Sequence, residues 1–219
     1  MDTPWLQQDP FRRLPVPARA VLNRAAEVAR YQAGETVFRE GEPPESLWVV
    51  RRGWVQLVMR TANGKGLTVD LSTPDDGLFG LSAFCGMSYL TSAVAATPLV
   101  VVRLPAPVVR QLVAAQAAFA AAVVRLFSRR FHHMAETYAT AFAPVELRIA
   151  SVLLRLEEAF GATLPVTRRQ VAELAGTTVE TAIRVSNRLR RERLLTMRRG
   201  EIVLVDSVGL SQKLRAAAR

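Results

Sequence analysis

What this chain lacks narrows it quickly. Cysteine occurs once in 219 residues, at Cys85. One thiol cannot close an internal disulfide, and it cannot hold a cysteine-only metal cluster or an iron–sulfur centre. Histidine is nearly as scarce, with only the adjacent pair His132 and His133. No acid–base pair accompanies an evident nucleophile, no glycine loop is of the phosphate-cradling kind, and no metal-ligand spacing stands out. Catalysis has little to work with, and a non-enzyme is expected. The opening stretch MDTPWLQQDPFRRLPVP has no apolar core behind a basic start, so no signal peptide is expected. The longest alanine-rich apolar run, VAAQAAFAAAVV, is interrupted by Gln116 and is too short to span a bilayer. A cytoplasmic protein with no membrane partner follows as the expectation.

The residues that are present describe a folded, basic protein. Hydrophobic residues make up 50% of the chain, and its length suits one large or two small domains. The formal charge is +10, from 29 Lys and Arg against 19 Asp and Glu. That excess is unevenly placed. Residues 166–219 hold 12 basic against 5 acidic residues, a balance of +7, which leaves +3 for the preceding 165. A basic C-terminal end on a near-balanced body is the electrostatic footprint of a nucleic-acid binder.

Within that basic end, TRRQVAELAGTTVETAIRVSNRLRRERLL reads as helix, turn and helix. In the first helix Val171 and Leu174 recur at helical spacing, while Ala172 and Ala175 permit close packing. Gly176 stands where the turn calls for a positive φ. Thr177 or Thr178 can cap the second helix, and Glu180 suits its positive end. Ala182, Val185 and Leu189 form a buried stripe. The opposite face carries Glu180, Ile183, Arg184, Asn187, Arg188 and Arg191. Chemistry assigns base contacts to three of these. Glu180 can accept from a cytosine amino group, Arg184 can grip guanine with two bonds, and Ile183 can meet a thymine methyl. Arg168, Thr178, Asn187, Arg188 and Arg191 are the expected phosphate contacts. RGEIVLVD, from Arg199 to Asp206, alternates like a strand after a turn at Gly200 and completes a winged helix. A winged helix used mainly for protein contacts, on a module that binds haem or a small apolar ligand, is the competing reading.

From Tyr31 to Leu104 the period changes to two. Candidate strands are Thr36 to Phe38, Ser46 to Val50, Trp54 to Met59, and GLTVDLS behind the Asn63-Gly64 hairpin signal. TSAVAATPLVVVRLP supplies two more, and such spacing suggests a small sandwich or barrel. Pro105 to Ala115 reads as a short helix, and Ala117 to Phe142 as a long one without glycine or proline. Val123, Phe127, Arg130, Met134, Tyr138 and Ala141 track one seam of that helix, suited to a second copy of the chain. Pro144 starts a further helix, whose Leu147, Val152, Leu153, Leu156 and Phe160 are expected beneath the reader.

The spacing of Gly34, Gly41 and Gly53, with Phe38 and Trp48 between them, resembles the roll of the Crp/Fnr transcription regulators. The resemblance runs from about residue 20 to the end and pairs two signatures in one order. It implies an α+β chain with a double-stranded β-helix, a jelly roll of the cyclic-nucleotide-binding type, over 1–104. A linker and dimerisation helix would follow over 105–142, and a winged helix-turn-helix over 143–219. It also implies a homodimer on double-stranded DNA, in contact with RNA polymerase.

The resemblance also bears on the signal. In cyclic-nucleotide regulators of this family a short cassette offers a glutamate to the ribose and an arginine to the phosphate. Here FGLSAFCGMSYLTSA, Phe79 to Ala93, places Leu81 and Thr91 at those positions, with Ser92 and Ala93 retained. Met134 and Ala135 stand where adenine would be contacted. Cyclic AMP is therefore not expected, and Leu81, Thr91, Ser92 and Met134 are the candidate pocket residues. The pattern is closer to haem- or nitric-oxide-responsive members, for which His132, His133 or Cys85 could supply an axial ligand. Adjacent helical histidines point about 100° apart, so they cannot both serve one site. Regulation without a ligand is the alternative.

Overall fold

The computed structural model of the chain describes residues 4–61, 66–74 and 77–216, with side chains omitted at 133, 136, 137, 139, 140 and 216. The Asn63-Gly64 signal lies outside the described residues. Two compact units form, Met1–Ala135 and Glu136–Arg219.

Among the described residues, the first unit holds eight strands, two α-helices and most of a third. A helix α1 (Val16–Ala25) leads into β1 (Glu27–Tyr31), β2 (Thr36–Phe38), β3 (Ser46–Arg52) and β4 (Val55–Arg60). Then come β5 (Gly66–Ser72), β6 (Leu78–Phe79), β7 (Ser92–Ala95) and β8 (Leu99–Pro105), followed by α2 (Ala106–Ala115) and α3 (Ala117–Thr140). The strands pair into two antiparallel four-stranded sheets, ordered β1-β8-β3-β6 and β2-β7-β4-β5. The expected roll is what the fold shows. Edge strand β1 begins four residues before the predicted β region. Its Glu27 and Arg30 hide it from a hydrophobic pattern while protecting an open sheet edge.

Strands β3 and β8 explain why the core has two layers. Both are buried on both faces, so they read as continuous apolar runs rather than alternating ones. Trp48 and Val50 of β3, with Leu99 and Val101 of β8, point between the sheets into a cluster that includes Phe38, Phe79 and Tyr89. Leu47, Val49, Val102 and Leu104 point the other way, into a second cluster beneath the helices. The N-terminal segment also joins that second cluster. Trp5 meets Phe11 edge-on at 5.2 Å, and Phe11 lies 6.1 Å from Phe119 of α3. Helices α2 and α3 meet at Gln116, with a bend of 113° between them. No single described helix is long and apolar enough to cross a membrane.

The second unit comprises α4 (Val145–Phe160), β9 (Thr163–Leu164), α5 (Arg168–Leu174), α6 (Val179–Arg191), β10 (Leu195–Arg198), β11 (Glu201–Leu204) and α7 (Ser207–Ala216). The wing is a three-stranded sheet in the order β10-β11-β9. Helix α4 packs against α5, α6 and α7. Its buried stripe is Ile149, Ala150, Leu153 and Leu156, whereas Leu147, Val152 and Phe160 are only half-buried. The stripe is thus rotated from the expected one, and Ile149 takes the place assigned to Leu147.

Tyr89 fastens the loop between β6 and β7 to the sheet. Its hydroxyl donates to the Ser46 carbonyl at 2.6 Å and accepts from the Ser46 amide at 3.1 Å, both in buried surroundings. Tyr89→Phe is expected to cost about 1–3 kcal/mol in urea denaturation, because Ser46 loses both partners away from water. An unchanged midpoint would show that these bonds contribute nothing.

Candidate nucleic-acid interface and ligand cavity

The second unit presents a helix-turn-helix whose caps are all local. Thr167 caps α5 with a reciprocal pair: its hydroxyl accepts from Gln170 N at 3.2 Å, and Gln170 Oε1 accepts from Thr167 N at 2.8 Å. The T-x-x-Q spacing is the sequence signal for this box. Gly176 adopts φ +58°, as the turn requires, and Thr178 caps α6 by accepting from Thr181 N at 3.2 Å. Ala182, Val185 and Leu189 are buried, and so is Ser186 between the latter two. The stripe anticipated for α6 is therefore present, and it fixes which face turns outward.

Along the outward face Glu180 and Arg184 are exposed, while Ile183 and Asn187 are half-buried. Arg184 has no ion-pair partner among the described residues. Glu180 lies in the first turn of α6. Its own amide N–H and the Thr178 hydroxyl hold its carboxyl below the ordinary carboxylate range, which keeps it an acceptor. Arg168 at the start of α5 and Arg191 at the end of α6 are exposed, as are Arg198 and Arg199 at the wing turn.

Arg188 behaves differently from the other expected phosphate contacts. Its Nη1 lies 2.6 Å from Glu146 Oε2 on α4, so a carboxylate within the unit already holds it. Lys213 of α7 completes the cluster, reaching Glu146 and Glu192 at 2.6 Å each. Burial pushes the Glu146 carboxyl up. The hydrogen bonds and charges of Lys213 and Arg188 outweigh this and hold it below the usual range. Glu146 and Glu192 push the Lys213 ammonium up. Sequence reasoning missed this network because it joins residues 21 positions apart and more.

The first unit forms a half-open cavity of about 330 Å³ between the roll and α3. Phe38, Leu57, Phe79 and Tyr89 line it from the strands and loop, and Phe127, Phe131 and Met134 line it from α3. Of the four candidate pocket residues, Leu81, Thr91 and Met134 are in the lining. Ser92 is not, because its hydroxyl accepts from Glu40 N at 3.0 Å. Gly80 has φ +72°, and a Cβ there would lie 2.9 Å from the Trp48 ring, so the cassette starts at a position that only glycine fits.

Among the described residues the cation in the lining is Arg130, and it is fully engaged. Nη1 donates to Asp70 Oδ2 at 2.6 Å and to Leu71 O at 3.2 Å. Nη2 donates to Leu78 O at 2.8 Å and to Ser72 Oγ at 3.0 Å. The side chains of Arg130 and Asp70 are 12% and 11% exposed. Haem fits this lining poorly. Cys85 and Met134 are donors within reach, but the two propionates would find a cation already committed to Asp70. His132 is exposed and outside the lining, and the His133 side chain lies outside the described residues.

Of the seam expected on α3, Phe127, Met134 and Tyr138 are exposed. Val123 is buried in its own unit's core and Arg130 faces the roll, in line with Phe119 and Leu126. The apolar residues that stay exposed are Val124, Phe127, Phe131, Met134 and Tyr138, spaced by three and four. Ala141 lies beyond the helix, in a turn.

A β-roll and a winged helix in one chain define a sensor-type DNA-binding regulator. Comparison with known proteins agrees. Residues 28–116 match the family described as cyclic nucleotide-binding domain, and residues 147–213 match the Crp-like helix-turn-helix domain. The CRP-like cAMP-activated global transcriptional regulator of Mycobacterium tuberculosis is 24% identical over 214 residues, which cover 94% of this chain and 96% of that one. The transcriptional regulatory protein btr of Bordetella pertussis is 28% identical, covering 85% and 80%. The structure of FixK2 from Bradyrhizobium japonicum superposes with a TM-score of 0.78 at 21% identity, covering 88% and 96%. The chain belongs to the Crp/Fnr family of transcription regulators, whose members bind DNA and are not enzymes. The reading in which the winged helix serves mainly protein contacts is not favoured.

Glu146→Gln tests the ion-pair cluster. A carboxyl whose pKa is lowered by folding stabilises the protein above its unfolded value of about 4.3, and that support is lost as pH falls through the folded value. The variant is expected to lose on the order of 1 kcal/mol at neutral pH, with the gap to wild type closing below about pH 4. Thermal melts across that range check it, and a pH-independent gap would remove the charge from the explanation.

Proposed function

We propose that the chain acts as a homodimer that reads a near-palindromic duplex site, each subunit laying α6 in a major groove about one helical turn from the other. The observation that carries this reading is the outer face of α6. Glu180 and Arg184 project there one turn apart, ionised and exposed, while the opposite stripe is buried. Glu180 accepts from cytosine, Arg184 donates two bonds to guanine, and Ile183 brushes a thymine methyl. Val179 precedes them where the cyclic-AMP subgroup has another arginine, which favours half-sites of the TTGAT kind over TGTGA. Arg168, Asn187 and Arg191 meet phosphates. Thr178 serves mainly as a cap, and Arg188 contributes only by leaving Glu146.

The exposed ridge Val124–Phe127–Phe131–Met134–Tyr138 supplies the contact with a second copy. Its three- and four-residue steps are those of a heptad seam. Such a dimer works on chromosomal DNA in the cytoplasm, where RNA polymerase is its further partner.

Arg184→Ala is expected to lose about 1–3 kcal/mol on a cognate site and little on random duplex, measured by fluorescence anisotropy. Equal losses on both would remove Arg184 from base readout. Val124→Glu should shift the protein towards monomer in sedimentation equilibrium and weaken binding to the full palindrome. A dimer that survives this change would place the interface elsewhere.

A further inference from the structure

The charge balance of the roll's cavity specifies what it can hold. We propose that it binds an uncharged, largely apolar small molecule and rejects phosphate-bearing ligands. Three observations support this. First, an apolar cavity of about 150 Å³ accommodates benzene, so about 330 Å³ suits a two-ring compound or a chain of similar bulk. Second, the side chains that form its walls are aromatic and aliphatic from both sources, Phe38, Leu57 and Phe79 from strands, Phe127, Phe131 and Met134 from α3. Third, its cation is spent. The two terminal nitrogens of Arg130 carry four hydrogens, and Asp70, Leu71, Ser72 and Leu78 provide four acceptors for them.

An anion entering here would shed its water and gain no counter-charge, because displacing Asp70 would leave that carboxylate buried instead. A neutral ligand avoids both penalties. The Tyr89 hydroxyl is already bonded to Ser46, so among the described residues Ser82 and Thr91 are the uncharged hydroxyl-bearing side chains left in the lining, enough for one hydroxyl or carbonyl group on the ligand. The ligand class stands independently of the DNA readout, since every residue that decides it belongs to the first unit.

The test compares one skeleton with and without a charge. Full-length protein is titrated with phenylnaphthylamine, which is neutral, and with anilinonaphthalene sulfonate, its sulfonated counterpart, and fluorescence is followed. The neutral probe is expected to bind at least about tenfold more tightly. Asp70→Asn removes the carboxylate's charge from the lining, so it should narrow or reverse that preference. Thr91→Trp places bulk in the cavity and should weaken the neutral probe by a similar factor. Circular dichroism confirms that each variant is folded, and if Asp70→Asn does not fold, the wild-type ratio and Thr91→Trp still decide. Wild-type protein that binds the sulfonate as tightly as the neutral probe, or binds neither, overturns the proposal. So does a neutral-probe affinity that Thr91→Trp leaves unchanged.

Discussion

A guanidinium cannot give up its proton, so burying one obliges the fold around it to supply acceptors. Arg130 imposes that obligation on the roll. Its partners come from the end of β5 and from β6, and they are two backbone carbonyls, a serine and a carboxylate. Because Arg130 sits on α3, satisfying it fixes how that helix lies over the sheets. The inward line Phe119–Val123–Leu126–Arg130 then determines which residues remain outside, and Val124, Phe131 and Tyr138 are left as an apolar ridge. The cavity's lack of spare charge and the surface available to a second subunit share this cause.

The DNA-reading unit solves a similar problem with exposed groups. Helix α6 must show polar side chains to a groove while staying fixed to its own core. Ala182, Val185 and Leu189 anchor it through small or branched apolar groups, leaving one narrow face for readout. At its far end Arg188, Glu146, Lys213 and Glu192 tie α6 to α4 and α7. Each exposed pair of this kind contributes little alone, but a shared carboxylate holds three helices in one relationship.

How much of this was legible follows from how local each signal is. Gly176, the Thr178 cap and the buried stripe of α6 are each decided within about one or two helical turns, and all were readable. Most strands of the roll were readable as short apolar stretches between turns, whereas the charges of β1 mask it, and β6 and β9 are two residues long and carry no period. Helix α7 escaped notice because Gly209 interrupts its first turns, and an aspartate at 206 caps it through the Gly209 amide. On α3 the seam positions Phe127, Met134 and Tyr138 are exposed, but Val123 and Arg130 turn inward. Val123 and Val124 are adjacent valines on a helix with two apolar faces, so composition cannot say which looks inward. Arg130 and Asp70 lie 60 residues apart, a partnership only folding creates.

The stretch from Gly80 to Tyr89 is held at its two ends. Gly80 fits tightly against Trp48, and Tyr89 is bonded to Ser46 through its hydroxyl and to Gly41 and Glu42 through its backbone. Between them runs a short 3-10 turn that belongs to neither sheet. Substitutions at Leu81, Ser82, Cys85 or Met87 can therefore reshape the cavity's mouth while the strand pairing stays intact. A lineage carrying this roll can exchange one chemical vocabulary for another over a handful of positions, keeping the scaffold and the output while changing what is heard.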